Sequence, residues 1–208
     1  MIDLHAIAVV FSVYVIGVII PGPNFVVVAH QAAYSRTGLA LAMVGGVVLV
    51  NLFWASAAIL GVGVVFALFP WIALAVKVLG AGYLIWFGGR LVLKAGGTSQ
   101  PFMGNTPTDV RGAFRGGVAT NIVNPKSIAY FGAVFSAAAP RHVNIPTFLS
   151  MLAVVATVAS LWYGFVAVVF SHDAVASRYR RGKAWMDRVC GSVIVCIGAR
   201  QVWGLLPR

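Results

Sequence analysis

Pro21-Gly22-Pro23-Asn24, inside an apolar run from residue 5 to 30, and Asn124-Pro125-Lys126, inside another from 114 to 138, decide how this chain is read. Proline removes a backbone donor and collides with the preceding turn, so each run is expected to break at its proline. In lipid such a break frees carbonyls and amides that find partners only in protein or water, so it persists where it lines a cavity. Transporters built from repeats use interrupted helices of this kind near the bilayer midplane, with half-helix ends aimed at the substrate. The function is therefore expected at the two breaks.

Composition sets the solvent. Of 208 residues, 61% are hydrophobic and 9% charged, with four acidic residues in all, every one an aspartate. A soluble surface needs roughly a quarter of the chain charged, so this is an integral membrane protein with membrane lipid around it. The formal charge of +11 does not point to nucleic acid. The basic residues sit beside the ends of apolar segments without interleaved aromatics, which is the pattern of a topology signal. Cys190 and Cys196 are too far apart for a CxxC redox pair and have no acidic or histidine company for a metal, so packing is their expected role. Asp3 stands where a secretory signal would carry basic residues, and no signal peptide is expected.

Six apolar segments can be read, at 5–30, 39–66, 70–93, 114–138, 147–170 and 186–206. Each is long enough, since about 20 helical residues cross about 30 Å of hydrocarbon. The expected fold is an all-α membrane protein with six transmembrane helices, the first and fourth broken. The stretch Lys94 to Arg111, rich in Gly, Ser, Thr and Pro, divides the chain, and Arg178 to Arg188 reads as a basic connection. Connections 1, 3 and 5 hold ten Lys and Arg residues and the other side two, Arg141 and Arg208. The odd connections are thus expected in the cytoplasm and both termini outside.

The halves also resemble each other. Lys77-Val78-Leu79-Gly80-Ala81 matches Arg188-Val189-Cys190-Gly191-Ser192, and Pro23 corresponds to Pro125. One transmembrane domain, 1–208, is expected, with repeat 1 at 1–93, a connecting loop at 94–112 and repeat 2 at 113–208. Three crossings per half force the second half to be inserted upside down, the inverted-repeat arrangement of secondary transporters. Counted from Arg36 and Arg115, the breaks fall about 20 and 15 Å from the cytoplasmic boundary, at similar depth near the middle of the membrane.

At this length, and in this order, Pro21-Gly22-Pro23, the Arg36 to Gly46 entry into segment 2, Gly80-x-x-Tyr83-Leu84 with Gly88, and Asn124-Pro125-Lys126 resemble the lysine exporter and homoserine-threonine exporter superfamily (LysE/RhtB). The resemblance covers essentially the whole chain. It implies a small exporter of amino acids or related metabolites in the bacterial cytoplasmic membrane, driven by an ion gradient. Many relatives carry Asp where this chain has Asn24, and Gly-Asp where it has Val50-Asn51. Two intramembrane carboxylates are thus amides here, which counts against a proton relay at those positions and against a preference for basic amino acids.

Charges and amides at membrane depth are functional candidates because they are costly there. Lys126 is the sharpest, with no acidic residue near it in its own segment. It either meets a substrate carboxylate or exchanges a proton, or else snorkels or bonds the carbonyls freed by its own break. Pro23 suits the first turn of a half-helix whose amides, from Asn24 on, present partial positive charge to an anion. Asn24, Asn51, Asn121 and Asn124 hydrogen-bond either a zwitterion or one another. The expected substrate site is Pro21, Gly22, Pro23, Asn24, Asn51, Asn121, Asn124, Pro125 and Lys126. Lys77 and the Asp187-Arg188 pair read as end anchors, and His5, His30, His142 and His172 as interface residues. Tyr14, Trp162 and Tyr163 either line a cavity or pack.

The chain has no P-loop, HExxH, GxSxG or close carboxylate pair, so an enzyme and an ATPase are both unexpected, and no cofactor or metal is called for. The reading is a secondary transporter exporting a small amino acid or derivative by alternating access. A proton is the candidate coupling ion and a homodimer the candidate assembly. The alternatives are an exporter or channel for another solute or ion, and a membrane scaffold or redox protein without transport.

Overall fold

The computed structural model describes residues 2–62, 68–95, 106–135 and 143–203. Their regular structure is entirely helical. In chain order the helices are α1 (Leu4–Ile19), α2 (Pro23–Tyr34), α3 (Thr37–Ala57), α4 (Pro70–Leu93), α5 (Val110–Ile122), α6 (Pro125–Ala129), α7 (Ile145–Ser171) and α8 (Asp173–Trp203). Single π-helical stretches, Ala58–Val62 and Tyr130–Phe135, extend α3 and α6. The expectations for Arg141, His142, Arg208 and the side chain of Lys77 lie outside the described residues.

Two helices are long and apolar enough to cross a membrane, Thr37–Gly61 and Ile145–Ser171. A third span results if α1 and α2 count as one helix bent by 59°.

Short polar side chains start the helices. Asp3 accepts from Ala6 N at 2.9 Å, Asp109 from Gly112 N at 3.2 Å, and Asn144 from Thr147 N at 2.9 Å. Each satisfies one amide of a first turn, a contact worth about 1 kcal/mol. The main core then forms where α1, α2, α3 and α7 bury Val10, Tyr14, Val27, Met43, Val47, Met151 and Val155 against one another. Helix α3 runs between α5 and α7, while α4 and α8 pack along each other. Two crossings are backbone to backbone. A Cβ at Gly46 would stand 2.1 Å from the Phe114 carbonyl oxygen, and one at Gly88 would stand 2.6 Å from that of Gly191. Small residues are what allow helices to approach this closely in lipid.

Three expectations are corrected. The basic stretch Arg178 to Arg188 is helix, because α8 runs unbroken from Asp173. Arg, Lys, Ala and Met are good helix formers, and one glycine, Gly182, is too weak a breaker to stop them. The stretch is also amphipathic: Ala176, Tyr179, Lys183 and Asp187 are buried, while Arg178, Arg181 and Arg188 face outward. Lys183 and Asp187, one turn apart, form a buried ion pair at 2.7 Å, and Arg180 donates to the Ala33 carbonyl at the end of α2 (2.7 Å). Second, His30 is no interface residue; it is buried in α2 and stacked on Tyr34 with ring centroids 4.5 Å apart. Third, Cys190 packs in the α4–α8 seam as expected, but Cys196 is exposed.

Candidate functional site

Helix α1 ends at Ile19, and α2 restarts at Pro23, which occupies its first turn after the extended Gly22. A proline there sacrifices nothing, since a first-turn amide has no intrahelical partner. The second break repeats the device. Helix α5 stops at Ile122, Asn124 caps α6 by accepting from Lys126 N at 3.0 Å, and Pro125 is in the first turn. Both interruptions fall where the prolines predict them.

The asparagines meet between the breaks. Asn24 Nδ2 donates to Asn121 Oδ1 at 2.9 Å, and Asn124 Nδ2 donates to Asn24 Oδ1 at 3.1 Å. Asn121 Nδ2 donates in turn to the Val47 carbonyl at 2.8 Å and to Asn51 Oδ1 at 2.9 Å. Ser127 Oγ donates to Asn121 Oδ1 at 2.6 Å, and the Tyr163 hydroxyl shares a hydrogen bond with the Asn24 side chain. All four asparagines are at most 4% exposed. Buried amides of this kind are costly unless paired, and this cluster pairs them across four helices.

Lys126 crosses to the other break. Its ammonium donates to the Gly17 carbonyl at 3.1 Å and to the Ile20 carbonyl, at the C-terminal end of α1. The stem passes over Gly22, where a Cβ would come within 2.8 Å of Lys126 Cδ. It therefore satisfies carbonyls freed by the first break, not by its own.

A cavity of about 30 Å³ opens beside this contact, lined among others by Gly22, Asn24, Asn51, Asn124 and Lys126. Five of the nine expected site residues thus share one wall system. The remaining four stand behind it: Pro21, Pro23 and Pro125 set the helix ends, and Asn121 is the hub of the amide cluster. Tyr14 and Tyr163 also line the cavity, and Trp162 does not. Gly17, Ser127 and Tyr130 belong to the lining too and were not anticipated. Helical spacing could have found Gly17, three residues after Tyr14 on the same face. Ser127 and Tyr130 directly follow the second break, but nothing in their types distinguishes them. The Tyr130 hydroxyl is buried with no hydrogen-bond partner among the described residues.

Among the described residues, the cavity lining carries one cation, Lys126, and no carboxylate. The four aspartates are all engaged elsewhere: Asp3 and Asp109 cap helices, Asp173 is in the first turn of α8, and Asp187 pairs with Lys183.

The profile of the LysE type translocator family matches residues 15–203, from the second half of α1 through both breaks to the end of α8. The chain belongs to the LysE type translocator family. It is therefore a transport protein and not an enzyme. This LysE type translocator is 28% identical over 196 residues to the threonine efflux protein of Escherichia coli K12, covering 93% of this chain and 95% of that protein. It is 27% identical over 198 residues to the threonine efflux protein of Salmonella typhi, with the same coverage. It is also 23% identical to the uncharacterized membrane protein YrhP of Bacillus subtilis, covering 95% of this chain and 98% of that one. No solved structure matches the translocator.

Proposed function

We propose that this translocator exports a small neutral amino acid across the bacterial cytoplasmic membrane, using the cavity between the two breaks as its substrate site. One observation carries the reading: two broken helices and Lys126 converge on one asparagine-lined cavity with no carboxylate among its lining residues. The amides of Asn24, Asn51 and Asn124 offer donors and acceptors to a zwitterion, and the N-terminal end of α2 offers partial positive charge to its carboxylate. The threonine efflux relatives support a small hydroxylated or neutral substrate.

In this proposal six spans form from α1–α2, α3, α4, α5–α6, α7 and α8, as two inverted repeats. The packing supports that pairing. Helix α3 of the first half lies on α5 of the second, α7 of the second lies on α1 and α2 of the first, and the two third spans, α4 and α8, lie together. A cavity of about 30 Å³ has room for one or two waters, so its walls have to part for an amino acid, and in this proposal transport opens the site alternately to each side. The coupling ion is taken to be a proton, carried by a group other than an aspartate.

Lys126→Met tests the site. Efflux of L-threonine from preloaded cells is expected to be abolished at unchanged protein level in the membrane. Unchanged efflux rejects the site assignment.

A further inference from the structure

We infer that the carbonyl groups at the end of α1 form the subsite for the substrate's ammonium group, and that Lys126 occupies this subsite as a tethered stand-in while the carrier is empty. The inference rests on the exporter reading of the same cavity and assigns the two ends of the substrate within it.

The argument begins with hydrogen-bond bookkeeping along α1. In a continuous helix the Gly17 carbonyl would accept from the amide four residues on. That residue is Pro21, which has no N–H, so Gly17 is left without its helical donor. Ile20 lies in the break itself, after the last helical residue of α1. Carbonyls at a helix C-terminus also carry the partial negative charge of the helix dipole. They call for a cationic donor, and the structure supplies one from 109 residues away, the Lys126 ammonium on Gly17 and also on Ile20.

An alkylammonium has three donors and no acceptor. The α-ammonium of an amino acid likewise offers three donors and no acceptor. The carbonyl pair that holds Lys126 is thus chemically suited to hold the substrate's amine, and both groups cannot be there at once. Only Pro21 and Gly22 separate this negative pole from the first turn of α2, the positive pole of the same break. A zwitterion whose charges sit on one carbon matches two opposite poles joined by two residues. The buried Tyr130 hydroxyl, unpartnered among the described residues and on the same cavity wall, adds a group ready for a polar side chain.

The cycle that follows is an exchange of cations. The arriving amine displaces Lys126 from Gly17 and Ile20. When the substrate leaves, Lys126 returns, satisfies the carbonyls and restores the contact seen in the structure. Binding and resetting are then separable, because a carrier without Lys126 binds substrate and fails to reset.

The test measures equilibrium binding to purified protein in detergent, with L-threonine, with 1-amino-2-propanol as the amine without a carboxylate, and with 3-hydroxybutanoate as the acid without an amine. Relative to wild type, Lys126→Met is expected to bind 1-amino-2-propanol and L-threonine about tenfold more tightly, leaving 3-hydroxybutanoate unchanged. Gly22→Ala keeps the charge but places a methyl against the Lys126 stem, and is expected to tighten the amine in the same direction if Lys126→Met does not assemble. Weaker binding of 3-hydroxybutanoate in Lys126→Met, with no gain for the amine in either variant, overturns the inference and makes Lys126 a carboxylate partner within an intact exporter site. No binding of L-threonine or any other small amino acid to wild type overturns the exporter reading itself, and the inference with it.

Discussion

Asn124 Nδ2 donates to Asn24 Oδ1 across 3.1 Å, joining two residues 100 positions apart, one just before the proline of its break and the other just after. The two interruptions are therefore one piece of structure. Asn121, between them, receives and gives the remaining bonds, so it holds the arrangement together more than either break does alone.

Asn121→Ala removes four hydrogen bonds, to Asn24, Asn51, Ser127 and the Val47 carbonyl. At about 0.6 kcal/mol for each such bond in a bilayer, the loss is expected to be about 2 kcal/mol. Thermal unfolding followed by size-exclusion fluorescence should show a clearly lowered midpoint. A midpoint equal to wild type would mean that the amides satisfy one another without their hub.

Lys183→Met leaves Asp187 buried with its 2.7 Å partner gone. Breaking a buried pair from one side costs about 3–5 kcal/mol, whereas removing both charges is often neutral. The single variant is expected to lose most folded protein, and the double variant Lys183→Met with Asp187→Leu to recover it. Equal yields from the two would show that the pair contributes nothing to folding.

Gly46→Ala places a methyl 2.1 Å from the Phe114 carbonyl oxygen, so α3 and α5 have to separate. Gly82→Ala meets nothing within 4 Å and gains about 0.5–1 kcal/mol of helix stability. The first variant is expected to reduce both membrane accumulation and efflux, and the second to raise the unfolding midpoint slightly. Efflux at the wild-type level in Gly46→Ala would argue against close α3–α5 packing.

Asn24→Asp puts a carboxylate into a cavity that has none. It is expected to weaken efflux of neutral amino acids at least several-fold and to admit lysine as a competitor. Competition assays in preloaded cells read both. An unchanged substrate profile would remove Asn24 from the site.

Much of this was legible from residue types. The prolines marked both breaks to the residue, because a missing N–H acts locally and needs no tertiary context. The Asn residues announced themselves by cost, since an amide at membrane depth needs a partner wherever it is. What the chain could not disclose was who that partner would be. Lys126 was expected to meet a substrate or its own break, and it reaches α1 because the second break folds against the first, a tertiary fact. The basic stretch of α8 misled for the opposite reason. Charge density suggested a connection, while good helix formers, the Lys183–Asp187 spacing and the buried Tyr179 favoured a helix folded against the end of α2. Tyr130 and Ser127 carried no signal at all, being ordinary residue types whose importance is only their place.

The commitment of every aspartate to a helix start or to Lys183 has a consequence for the energised membrane in which such a carrier works. An ammonium with no carboxylate beside it on the cavity wall opposes the entry of sodium and potassium, much as fixed positive charges exclude cations in selective pores. In the exporter reading the same lysine that resets the site thus also disfavours leakage of sodium and potassium through it, while a net-neutral amino acid passes.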